Sequence, residues 1–227
     1  MLAPLLIFQG RRVREKIVLL PEPPGQRHGR QGQGKTLKLL VVGDSAAAGV
    51  GADAQYATLY GQLVSRLSAN FSVQWHVLAK TGENTQSITT LLDNIDPQPF
   101  DIIVTSLGVN DVTSGKSSKQ FAKDLDALYQ ILMQKFTPQQ IIFSSMPPMG
   151  QFPALPNPLR WYLGKKAHYF DQIIQQITLQ HNCDYFHLPV TMDANCMARD
   201  GFHPGPLIYA AWASGLAKKI MAIQQVN

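Results

Sequence analysis

Four short segments of the chain carry side chains suited to acyl-transfer chemistry. Gly43-Asp44-Ser45 closes an apolar run. A serine at a strand-to-helix turn exposes its hydroxyl, and its backbone N–H points with the helix N-terminus, where it can stabilise an oxyanion. Plain helix capping accounts for the same residues. In Lys80–Thr85 (KTGENT), Gly82 lets the backbone approach a ligand without a Cβ, or simply makes a turn. In Gly108-Val109-Asn110-Asp111, Asn110 offers uncharged amide donors of the kind an oxyanion hole uses, or caps a turn. In Asp200-Gly201-Phe202-His203-Pro204, His203 is of the residue type best suited to general-base work near neutral pH. Asp200, three residues earlier in a tight loop, can fold back onto Nδ1 and fix the tautomer. Each segment alone reads better as an ordinary loop. Together, each supplies a different part that acyl transfer needs.

These loops require a frame that gathers them. Leu37–Val42, Val73–Leu78, Asp101–Leu107, Gln140–Ser145 and Asp184–Leu188 are short apolar runs, read as five strands. Helical spacing fills Tyr56–Leu67, Gln86–Leu92, Ser117–Phe136, a stretch from about Trp161, and Pro206–Ile223. The Ser117–Phe136 helix sets Phe121, Leu125, Leu128, Leu132 and Phe136 on one stripe. Strands alternating with helices imply right-handed crossovers and a parallel sheet covered on both faces. Ligands in such sheets bind beyond the carboxyl ends of the strands, the edge on which all four segments fall.

At this point the sequence resembles the SGNH hydrolases, the GDSL esterase/lipase family. GDS, the lone glycine after the second strand, GxND and DxxHP match its four signature blocks in order, from Leu37 onward. The resemblance implies a three-layer α/β/α, flavodoxin-like fold with a five-stranded parallel sheet. It implies a nucleophile at Ser45, a triad completed by Asp200 and His203, and an oxyanion hole from Ser45 N–H, Gly82 N–H and the Asn110 amide. It implies a carboxylic ester hydrolase, with no metal or organic cofactor. Lysophospholipase, thioesterase and carbohydrate deacetylase share this machinery, and a silent, membrane-associated binding module is the reading from another class. Ala46 stands where the family signature has leucine, a packing position that leaves the chemistry intact and the subgroup open.

Composition sets the outer bounds. With 227 residues, 45% hydrophobic and 15% charged, the chain suits one globular domain and excludes wholesale disorder. Residues 1–38 hold eight Lys/Arg against two acidic residues, a net +6, whereas the other 189 hold 12 against 13. The basic character therefore belongs to the arm, residues 1–36, and not to the domain over 37–227. Met1–Phe8 (MLAPLLIF) is apolar and is followed by basic residues, the reverse of a secretory signal, so a cytoplasmic location is expected. Residues 1–16 read as a peripheral contact with the inner membrane face, or equally as an arm packing on protein. Leu20–Gln33 reads as an extended linker. The arm has one aromatic residue, Phe8, and the body is near neutral, so no nucleic-acid partner is expected; the ligand is a small-molecule or lipid ester.

Asp44 and Asp111 are read as braces bonded to backbone N–H groups. His181, Cys183, Asp184 and His187 are set aside as a metal cluster, because strand alternation splits them between faces. In the long loop Met146–Arg160 and just beyond, Met149, Phe152, Leu155 and Trp161 either line an apolar acyl pocket beside Ser45 or cover the sheet edge as core.

Overall fold

The computed structural model describes residues 2–188 and 191–226; Met1 of the apolar run lies outside them. The sheet comprises β1 (His28–Gln31), β2 (Thr36–Gly43), β3 (Ser72–Ala79), β4 (Ile102–Ser106), β5 (Gln140–Ser144) and β6 (Asp184–Phe186), in the order β1-β3-β2-β4-β5-β6. From β3 to β6 every pairing is parallel, as expected of the five apolar runs. Their order is the flavodoxin-like one, which reverses direction beside β2. The helices are α1 (Ala3–Lys16), α2 (Ser45–Ala48), α3 (Leu59–Leu67), α4 (Thr85–Asp93), α5 (Val109–Thr113), α6 (Ser118–Phe136), α7 (Leu159–Gln180) and α8 (Pro206–Val226). α3 packs with α8, and α4 with α6, which also meets α7.

The central strands are buried because both faces are covered: Leu39–Val42 and Ile102–Val104 are fully inaccessible. Helix boundaries follow side-chain caps. Thr58 accepts from Gly61 N–H to start α3, Asn84 and Ser87 form a capping box on α4, and Ser117 accepts from Gln120 N–H on α6. The stripe from Phe121 to Phe136 is buried, with Phe121 stacked on Phe170 of α7 at 4.3 Å.

The sheet has six strands, not five. β1 lies within the segment read as linker and pairs antiparallel with β3, from His28 opposite His76 to Gln31 opposite Val73. Its four residues, HGRQ, carry no apolar alternation. Backbone pairing at an open sheet edge holds them, and Arg30 Nε donates to Ser72 Oγ at 2.8 Å. Helix α1 is the other unheralded element. Leu6 and Val13 pack on the body, while the Gln9 amide donates to the Asn157 carbonyl and accepts from Leu159 N–H, capping α7 across 150 residues.

Gly43 sits where β2 has no room for a side chain against β4. A Cβ there would lie 2.2 Å from the Ser106 carbonyl oxygen. Gly43→Ala is therefore expected to cost about 1–3 kcal/mol, read as a lowered midpoint in chemical denaturation. A neutral result would show that the two strands can part without penalty.

Candidate active site

Gly43 ends β2, and the chain turns at once into the single turn of α2. Asp44 Oδ1 accepts from Ala46 N–H at 3.0 Å, which starts that turn and raises Ser45 off the strand end. Asp44 is buried, and burial pushes its carboxyl up to about 7, against the pull of the Ala46 N–H and His203. The loop bearing His203 is held by backbone bonds, Ala198 N–H to the His203 carbonyl and Gly205 N–H to the Cys196 carbonyl. It lies close against the turn after α2: a Cβ on Gly51 would sit 2.3 Å from the Pro204 carbonyl oxygen, and Gly51 has φ +98°.

This packing brings together three residues separated by up to 158 positions. Ser45 Oγ lies 3.0 Å from His203 Nε2, and His203 Nδ1 lies 2.5 Å from Asp200 Oδ2. With a carboxylate at Nδ1, the proton resides there and Nε2 accepts from the serine hydroxyl. Asp200 Oδ1 accepts from Phe202 N–H and His203 N–H, each at 3.0 Å. Burial alone would raise the Asp200 pKa; the His203 ring and these two N–H groups outweigh it and hold the carboxyl below its ordinary value.

Because β3 and β4 flank β2, the loops that follow them flank Ser45. Gly82 is exposed and turns at φ +84°. Asn110, in the first turn of α5, donates one amide hydrogen to the Glu83 carbonyl at 2.8 Å, tying the two loops together, and its other hydrogen has no partner among the described residues. Asp111 braces the same pair of loops. Its Oδ2 accepts from Thr85 N–H and Oγ1, at 3.0 and 2.8 Å, and the Lys116 ammonium lies 2.7 Å from Oδ1. Lys116 also pairs with Asp124; burial alone would lower its pKa, but the two carboxylates raise it. Asp44 and Asp111 thus bond to backbone N–H groups, as their sequence positions suggested.

A cavity of about 40 Å³ opens beside Ser45 and His203, lined by Leu107, Phe152, Met192, Met197, Phe202 and Trp212 among others. Of the four expected pocket residues only Phe152 lies there, edge-to-face against Phe202 at 5.2 Å. Met149 has no accessible surface and belongs to the core, because the helical turn Met149–Gln151 packs on α7. Leu155 faces the groove beneath α1, and Trp161 is 57% exposed at an open groove that also passes Ser145, Pro147 and Leu188. The residues set aside as a metal cluster have other neighbours: His181 Nε2 lies 2.7 Å from Asp126, and Asp184 pairs with Lys219. Cys183 and Cys196 are free thiols, and burial, then Asp184, pushes Cys183 up to about 11.

Sequence reading missed Glu22. Its Oε1 accepts from Thr81 N–H at 3.0 Å and Thr81 Oγ1 at 2.6 Å, immediately before Gly82. Its Oε2 pairs with Arg27, whose guanidinium also donates to the Ala48 carbonyl at the end of α2. No local signal could reveal a partner 59 residues away.

A hydroxyl, an imidazole and a carboxylate thus lie in line at the switch point of a flavodoxin-like sheet. Residues 41–211 match the GDSL-like lipase/acylhydrolase family, and the chain belongs to that family of carboxylic ester hydrolases. No curated protein matches the sequence closely enough to inform it further. The fold is similar to that of the inhibitor-bound aryl esterase of M. smegmatis, with TM-score 0.64 and 15% identity over 82% of this chain and 99% of that one. It is likewise similar to a carbohydrate acetylesterase from Sinorhizobium meliloti, with TM-score 0.61 and 15% identity over 82% and 99%. An acetylxylan esterase from Geobacillus stearothermophilus gives 0.58 and 16% over 83% and 95%.

Two predictions follow from the buried carboxylates and the arm. Asp44 holds a proton in the folded state up to about pH 7, but releases it near its ordinary 3.8 when unfolded. Its contribution to stability is therefore present at low pH and declines as pH rises through that window. Asp44→Asn keeps the cap acceptor and removes the titration. Its Tm should fall less than wild type between those pH values, a difference on the order of a few kcal/mol at most. Parallel Tm–pH curves would refute this. Glu22→Gln, which weakens the hold on Thr81, should lower kcat about tenfold with little change in KM or Tm. An unchanged kcat would show that Gly82 is positioned without the arm.

Proposed function

We propose that the protein hydrolyses carboxylic esters of short acyl chains through a Ser45–His203–Asp200 triad. The observation that carries this is the 3.0 Å contact of Ser45 Oγ with His203 Nε2, backed by Asp200 on Nδ1. His203 takes the hydroxyl proton as Oγ bonds to the ester carbonyl carbon. The imidazolium then gives that proton to the departing alcohol oxygen, leaving an acyl-serine. Water, deprotonated by the same imidazole, attacks the acyl carbon, and the proton returns to Ser45 as the acid leaves. The backbone N–H groups of Ser45 and Gly82 and the free amide hydrogen of Asn110 stabilise the oxyanion in both halves.

The preference for a short acyl group rests on the cavity. A space of about 40 Å³ beside the nucleophile admits an acetyl or propionyl chain, since each water-sized group needs roughly 10–15 Å³. Within the cavity itself a longer acyl chain meets Phe152, Met197 and Trp212, each nearly inaccessible and in contact with core. This argues against a lysophospholipase, and the in-line relay argues against a silent binding module. Acetyl-carrying esters are also what two of the similar structures act on by name, which supports the short-chain reading.

The test is a series of p-nitrophenyl esters of increasing acyl length. kcat/KM should be highest for acetate or propionate and lower for octanoate by about a hundredfold or more. Ser45→Ala should abolish turnover and fluorophosphonate labelling. A preference for octanoate would sink the pocket assignment, and full activity in Ser45→Ala would sink the triad.

A further inference from the structure

The arm presents a surface that the chemistry at Ser45 does not use. α1 is fastened along one stripe, Leu6, Gln9 and Val13, leaving its opposite side open. That side is segregated lengthwise. Leu5, Ile7 and Phe8 are exposed in the first two turns, while Arg11, Arg12, Arg14 and Lys16 are exposed in the last two. The Arg12 guanidinium sits 5.5 Å above the Phe8 ring, at the junction between the halves. Val18 is exposed just beyond the helix and lines the same groove as Leu5 and Phe8.

The surface continues onto α7. Gln9 anchors α1 at Asn157 and Leu159, and the next exposed residues of α7 are Trp161 and Tyr162, followed by exposed Lys165. An apolar tip, a basic collar and a neighbouring Trp/Tyr pair form the sequence of layers that an anionic bilayer presents in reverse: hydrocarbon, headgroup interface and phosphate charge. Among the described residues no helix is long and apolar enough to cross a membrane.

We propose that α1 and the start of α7 form a docking face for an anionic lipid bilayer. Charge selects this occupant. α1 carries Arg11, Arg12, Arg14 and Lys16 against the single Glu15, and Lys165 is exposed on α7 after Trp161 and Tyr162, so the field of this face favours a negatively charged layer. A second copy of the chain would bring two basic arms together, a like-charge juxtaposition that disfavours a symmetric dimer here. Trp161 also lines the open groove that passes Pro147 and Leu188, residues shared with the cavity beside Ser45. Docking therefore sets the mouth of that groove at the headgroup layer.

Cosedimentation of the full chain with vesicles tests this, using phosphatidylcholine alone or mixed with phosphatidylglycerol. Binding is expected only with the anionic vesicles, and should weaken by about tenfold or more as salt rises from low to physiological strength. Ile7→Asp with Phe8→Asp should abolish it, while Tm and hydrolysis of a soluble short ester stay at wild-type values, because both side chains are exposed. On binding, tryptophan emission should shift to the blue, and Trp161→Phe should lack the shift, since Trp75 and Trp212 are already packed in the body. Wild-type protein that ignores anionic vesicles, binds both kinds equally, or binds undiminished as the double variant overturns the proposal. Concentration-dependent dimerisation that the double variant breaks and vesicles do not displace also overturns it, by making the face a protein interface.

Discussion

The hydrogen bond between Ser45 Oγ and His203 Nε2 ties the end of the first parallel strand to the loop before the last helix, and the rest of the site is arranged to keep it short. Three carboxylates lie buried around it, Asp44, Asp111 and Asp200, and a buried carboxylate is costly unless its oxygens are satisfied. Each is handled differently. Asp200 receives two backbone N–H groups and the His203 ring, enough to keep it ionised and able to stabilise the imidazolium. Asp111 receives Thr85 and the Lys116 ammonium. Asp44 is buried and receives Ala46 N–H, and burial outweighs that bond and the pull of His203, which raises its pKa. The least satisfied carboxylate is thus the one whose task is to cap a single turn of helix, which a neutral carboxyl oxygen can also do.

The arm is part of this arrangement, not an appendage to it. β1 covers one edge of the sheet, Glu22 holds Thr81 beside Gly82, and Arg27 reaches the end of α2. Residues 22–31 are kept in place by polar contacts to backbone at β3, at Thr81 and at the end of α2. The arm also carries the excess positive charge, so the segment that braces the loop at Gly82 also sets the electrostatic face of the molecule.

The sequence by itself determined the parallel core and the reactive loops. Apolar runs and period-3.6 patterns are local, so β2 to β6 and the stripe on α6 were legible, as was the motif order that places Ser45, Gly82, Asn110 and Asp200–His203 at one sheet edge. Asp200 lies three residues from His203, close enough that its partner could be read directly. Only the tertiary structure decided the rest. β1 has no apolar alternation, and its pairing comes from a sheet edge built 40 residues later. Glu22 and Gln9 act on backbone atoms 59 and about 150 positions away, distances over which a sequence carries no geometric information. The cavity beside Ser45 draws Phe152, Met197, Phe202 and Trp212 from separate segments, while Met149 and Trp161 fell to core and surface. Apolar residue type states that a side chain seeks burial; which void it borders depends on how the helices and loops pack, and that is settled only when the chain is folded.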